Sequence, residues 1–209
     1  MGGMLFVFLC SYIGAIAART KKFTVDKTFY FLAEEAGESV SVFAQSVYNS
    51  GGAGYPYEAD GKSYSVLAAY NALEEAQTVA DTMAAKGRET TVLPVTVGTF
   101  YFTTRALAAE AEETEGVVTT VLQCADVLYS AANKLETGEY AQTEGRACIE
   151  GISLALNGLR EEGSAGELLV CGREKCAEIA SGVVYAKDLR YLQIELIGGI
   201  IDLQKIYSV

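Results

Sequence analysis

Residues Lys62–Val95, KSYSVLAAYNALEEAQTVADTMAAKGRETTVLPV, carry the clearest local pattern in the chain. From Tyr64 to Tyr70 the residues alternate, with Tyr64, Val66, Ala68 and Tyr70 on one side and Ser65, Leu67 and Ala69 on the other, as a strand requires. Asn71 stops the strand and suits a helix N-cap, with Glu74 three positions on in a capping-box arrangement. Leu73, Ala76, Ala80, Met83 and Ala84 then recur at helical spacing and form one apolar stripe, opposite Glu74, Glu75, Gln77 and Asp81. Gly87 ends the helix, because only glycine takes the left-handed terminal conformation without a steric penalty. Thr90, Thr91, Val92, Leu93 and Val95 supply a returning strand, and Pro94 puts that strand at an edge or stops it there.

Upstream lies a comparable half-unit. Thr28–Ala33 (TFYFLA) reads as a strand, and Glu38–Tyr48 reads as a short helix with Val40, Phe43, Ala44 and Val47 on one side. A second strand is the alternative for that segment, since Val40, Val42 and Ala44 also alternate. Asn49, Ser50, Gly51, Gly52 and Gly54 make a turn, and Tyr55–Glu58 an extended edge piece before the Asp60-Gly61 hairpin signal. The order is βαββαβ, which predicts a ferredoxin-like sandwich: two helices on one face of a four-stranded antiparallel sheet, with the other face free to bind.

The N-terminal stretch Met1–Ala18 contains no charged side chain and matches the ~17–25 residue span of a membrane helix at its short end. It reads as a membrane anchor or a signal segment within 1–22, holding the body at the cell membrane in a single pass and outside the cytoplasm. Beyond Gly98 the pattern turns helical. Helices are expected over Tyr101–Glu115, with a break near Gly116, over Val118–Leu135, over Tyr140–Glu162, from a Ser164/Glu167 capping box through Val183, and from Leu189 to Tyr207. Gly198-Gly199 marks a weak point or a close-packing site. The expected organisation is therefore α+β: a membrane or signal segment (1–22), a sandwich (23–98) and an all-α bundle (99–209) offering a surface for a protein partner.

Composition narrows the function. A net charge of −11 argues against nucleic acid, and the absence of histidine removes the triads and the usual neutral-pH base. Cys171 and Cys176 point ~140° apart on a helix, which suits neither a shared metal nor a disulfide. Cysteines 124, 148, 171 and 176 read as core residues, with Cys148–Cys171 or Cys124–Cys176 bridges as the alternative in an oxidising compartment. The acidic pairs Glu34-Glu35, Glu112-Glu113 and Glu161-Glu162 read as solvated faces, and Gly51–Gly54 as a turn. No catalytic residue, metal site or cofactor is expected, and the chain reads as a non-enzyme.

Tyr64-Ser65-Val66, Tyr70, Glu74-Glu75-Ala76, Lys86-Gly87 and Thr91-Val92 stand where the second half of the sporulation-related repeat (SPOR) domain of bacterial envelope proteins has its matching positions. The segment Thr28–Val95 resembles that domain, with Ala68-Ala69 replacing its usual small-residue turn. The resemblance implies binding to septal peptidoglycan, to glycan strands stripped of their stem peptides, during cell division or sporulation. On the open sheet face, Tyr30, Leu32, Tyr55, Tyr57, Ser65 and Leu67 are then the expected glycan contacts, aromatic faces stacking on sugar rings beside polar partners. The competing expectation is an envelope adaptor that binds only protein, through the sheet face or its edge.

Overall fold

In the computed structural model, residues 21–37, 39–102, 107–161 and 163–208 are described. The apolar run 1–18 lies outside them. The chain is α+β, in the order β1 (Lys21–Glu35), α1 (Val40–Asn49), β2 (Tyr55–Ala59), β3 (Lys62–Tyr70), α2 (Leu73–Ala84), β4 (Thr91–Phe102), α3 (Leu107–Glu136), α4 (Gln142–Asn157), α5 (Gly166–Ala180) and α6 (Ala186–Ile206). All neighbouring strands are antiparallel, and the sheet runs β2-β3-β1-β4. Among the described residues, no helix is long and apolar enough to cross a membrane.

The two faces of the sheet are sorted by a single extra residue. Leu32 pairs with Ala68 but Ala33 pairs with Val66, so Leu67 is the additional residue of a β-bulge. Tyr64 and Val66 consequently share a side with Ala69, and not with Ala68 and Tyr70 as strict alternation predicts. Ala68, Tyr70 and Leu32 lie beneath α2, against Ala76 and Ala80. Leu67 meets α1 through Gly52, where an added Cβ would stand 2.9 Å from Val47 Cγ1 and 3.4 Å from Leu67 Cγ.

The opposite face is not open, and the expectation of a free binding surface is overturned. Phe29, Phe31, Val66, Val95 and Val97 share one apolar core with Leu192, Leu196, Ile200 and Leu203 of α6. Alternation in β1 puts Phe29 and Phe31 on the side away from Tyr30 and Leu32. Those rings need cover of their own, and α6 provides it. Helix α6 is buried nearly all round, from Leu189 to Leu203, because it lies between the sheet and the other long helices. Gly199 is what lets α5 come close: a Cβ there would fall 2.4 Å from Leu168 Cδ1. Of the two expectations for Gly198-Gly199, close packing is the one observed.

Each edge strand of the sheet is interrupted as a ladder by a proline. The chain has two prolines, and they occupy the two edge strands, Pro56 in β2 and Pro94 in β4. The Gly98 amide donates outward to Gln204 Oε1 (2.9 Å), and the Tyr101 amide donates to the Tyr207 carbonyl (2.7 Å). Alternation from Gly98 places the Pro94 nitrogen on the same outer rim, where an added strand would need an N–H. The edge-docking expectation therefore finds no ready ladder.

Several local expectations shift. Strand β4 runs past Gly98 to Phe102, where a helix was expected from Tyr101, and α3 passes through Gly116 as one 30-residue helix. Helix α2 starts at Leu73 with no side-chain cap; Asn71 Nδ2 donates instead to Asp126 Oδ1 at 3.2 Å. A short 3-10 turn over Gly163–Ala165 takes the place of the Ser164 cap. Gly87 does adopt a positive φ of 78°.

Candidate functional site

The six residues expected to contact glycan are split between covered surfaces. Leu32, Ser65 and Leu67 are buried on the side of α1 and α2, and the Ser65 hydroxyl finds no hydrogen-bond partner among the described residues. Tyr30 is half-buried against the same apolar cluster. Tyr55 and Tyr57 belong to the bundle side. Tyr55 meets the Tyr191 ring edge-on at 5.3 Å, and its hydroxyl lies 3.2 Å from the position a Gly198 Cβ would take. Tyr57 meets Phe31 at 5.3 Å. Burial, with Glu195 nearby, raises the Tyr55 phenol to about 12. The expected platform is thus dispersed into the core, because the surface imagined for it is where α6 packs.

Several hollows mark the surface, two of them wider and shallower than the rest, and one of about 350 Å³ lies between α1 and the corner where α5 meets α6. Helix α1 contributes Ser41, Gln45 and Tyr48; the following loop contributes Gly54 and β2 contributes Pro56; α5 and α6 contribute Lys175, Glu178, Asp188 and Tyr191. Gly54 shapes the junction. It has φ +65°, and a Cβ there would lie 2.3 Å from the Ala44 carbonyl oxygen, so only glycine lets the loop press this tightly on α1.

Both tyrosines of the cleft are held in place. The Tyr48 hydroxyl donates to Asp188 Oδ1, and Lys187 Nζ lies 3.9 Å from the centre of the Tyr48 ring while donating to the Tyr48 carbonyl at 3.1 Å. Burial first, and then this bond to the carboxylate, push the Tyr48 phenol upward. Asp188 is buried and uses its second oxygen to accept from the Tyr185 amide at 2.8 Å, which fixes the start of α6. On the facing wall Lys175 Nζ lies 4.6 Å from the centre of the Tyr191 ring and donates to Glu178 Oε2 at 2.6 Å. Lys175 and Glu178 thus pair at the exposed rim of the cleft, while Asp188 is engaged by a phenol and a backbone amide.

A second hollow, of about 230 Å³, lies between α5 and α6 and is walled by Glu167, Glu195 and Asp202 over Leu168, Leu196 and Leu203. Among the described residues, no group of three His, Cys, Asp or Glu side chains is arranged to hold a metal ion. Cys124, Cys148, Cys171 and Cys176 are free thiols; Cys124 and Cys176 are buried, and burial raises them to about 11 and about 12. Thiols so disfavoured as thiolates are poor nucleophiles.

The cleft was not foreseen from the sequence. Its walls come from three segments far apart in the chain, and none carries a motif. The one local sign is that α1, VSVFAQSVYN, has no charged side chain in a strongly acidic protein. No protein family, curated protein or solved structure matches the chain.

Proposed function

We propose that this chain is a non-enzymatic adaptor of the cell envelope that binds a protein partner in the cleft between α1 and the α5–α6 corner. The observation that carries the reading is the closure of the sheet: both faces are covered and both edge strands hold a proline, while the cleft stays open between preset aromatic walls. We further read the βαββαβ unit, with its order β2-β3-β1-β4, as ferredoxin-like, and residues 1–18 as the tether that holds the body at the membrane. Septal glycan binding, which the SPOR resemblance implies, loses support because its six expected contacts are dispersed beneath helices.

The test is a photo-crosslinking amino acid placed at Gln45 in the cleft and, as a control, at the exposed Gln123 on α3. A protein adduct formed from Gln45 and not from Gln123 is the expected result. An adduct that disappears on digestion with a glycan-cleaving enzyme would overturn the adaptor reading in favour of wall binding. Equal adducts from both positions would remove the cleft from the argument.

A further inference from the structure

We propose that the hollow between α5 and α6 binds a linear aliphatic diammonium ion, a chain of about four to six methylenes with a cationic nitrogen at each end. The spacing of its acidic groups comes first. Glu195 and Asp202 both line the hollow and stand at positions i and i+7 of α6. Two turns of helix put them on one face, about 10.5 Å apart along the axis. Leu196 and Gly199 lie between them on the same helix, and Leu168 of α5 drops over Gly199, where an added Cβ would fall 2.4 Å from Leu168 Cδ1. The hollow is therefore acidic at both ends and apolar in the middle. Carbon–carbon bonds of about 1.5 Å let a chain of the stated length carry its two nitrogens to both carboxylates while its methylenes cover the leucines.

The inner end is unmatched. Glu195 Oε2 is buried and accepts no hydrogen bond among the described residues. Burial raises its carboxyl and Glu178 adds to this, while Lys175, which donates to Glu178, opposes it. An ammonium brought into contact supplies the missing donor. The Tyr55 hydroxyl lines the same hollow and feels both Glu195 and Asp202, so a further N–H has an acceptor there. At the outer end Asp202 pairs with Lys205 at 2.8 Å, but both side chains are largely exposed, and a pair of that kind is weak enough to give way to a ligand. Rival ligands fit less well. A metal ion needs its ligands gathered round one point, and among the described residues no three such side chains are so gathered. A guanidinium presents its donors as one planar fork, whereas the acceptors here sit at two separated ends. At about 230 Å³ the hollow is smaller than the roughly 300–1,000 Å³ of sites for drug-sized ligands, which suits a short chain and not fused rings.

The experiment titrates the full chain calorimetrically with cadaverine, ethylenediamine, pentylamine and pentanediol, at about 0.15 M salt so that loose attraction of cations to an acidic surface is screened. Saturable one-to-one binding of cadaverine is expected. It should weaken about tenfold or more when one ammonium is removed, as in pentylamine, or when the chain is too short to span the two ends, as in ethylenediamine. Pentanediol should not bind. Glu195→Gln and Asp202→Asn should each bring cadaverine down to the level of pentylamine, and since Asp202 is exposed, a loss there reports binding and not folding. Glu150→Gln, the same change of charge on the exposed side of α4, should leave cadaverine binding unchanged. Cadaverine bound no more tightly than pentylamine or ethylenediamine, a titration that does not saturate, indifference to Asp202→Asn, or an equal loss from Asp202→Asn and Glu150→Gln would each overturn the inference. The last of these would mean diffuse attraction to the acidic surface. The adaptor reading is untouched by any of them, because Gln45 lies in the other cleft.

Discussion

The two faces of the sheet are covered in different ways. Helix α2, joined directly to β3, lies over Leu32, Ala68 and Tyr70, with Ala76 and Ala80 facing them. Helix α6 arrives from the far end of the chain and shares one core with Phe29 and Phe31. Two fully buried rings of the central strand β1 thus wait for the more distant partner. Because that second face merges into the core of the helical half, the strands and the late helices are one packed unit, and a bundle described as an appendage would miss what closes the sheet.

The largest expected effect comes from emptying the distant face. Phe31→Ala should cost about 3–5 kcal/mol, a large share of the stability of an ordinary domain, and should speed hydrogen exchange in α6 as much as in β1. Protection of α6 left unchanged by that substitution would break the comparison, since the bundle would then stand without the sheet. A smaller loss is expected at the buried Arg190, whose guanidinium donates to Asn133 Oδ1 and Glu136 Oε2 of α3. Arg190→Ala should lower stability by about 1–3 kcal/mol in denaturant titrations, by leaving Asn133 unpaired in a half-buried site.

Pro94→Val should change monomer stability little and act on association instead. With an N–H restored to the outer rim of β4, sedimentation should detect concentration-dependent self-pairing absent from the parent. The smallest effect is a pH-dependent one at Glu195. Burial chiefly, with Glu178 adding and Lys175 opposing, holds its carboxyl above the usual range. The folded state therefore binds that proton more tightly than the unfolded chain does. Its contribution to stability is complete below the ordinary carboxylate pKa of about 4.3 and is lost as pH rises through the higher folded value. Glu195→Gln should accordingly be the more stable protein at neutral pH, by an amount that solvent screening keeps small, with the difference vanishing in acid.

The strand–helix–strand text of 62–95 and the order of the elements were legible, because period two and period 3.6 are local properties. The β-bulge was not. Leu67, Ala68 and Ala69 are all apolar, so no polar residue marks where the alternation slips, and a one-residue slip sends Ser65 and Leu67 to the face opposite the one expected. Cover on both faces did leave a trace in TFYFLA, where Phe29 and Phe31 are as apolar as Tyr30 and Leu32, the signature of a strand with no wet side. The cleft left none, since Tyr48, Lys175, Asp188 and Tyr191 meet only through the packing of α1 on the start of α6. Helix starts were misplaced for a simpler reason. Asn71 has a better partner in Asp126, across the molecule, than in its own helix.

The bond from the Tyr101 amide to the Tyr207 carbonyl, and the burial of the phenylalanine face beneath α6, have a consequence for synthesis. A nascent chain displays its most adhesive surface from the moment the fourth strand leaves the ribosome until roughly a hundred further residues have emerged. During that interval a chaperone has a continuous aromatic patch to hold, and release becomes productive only when the last helix arrives to replace it.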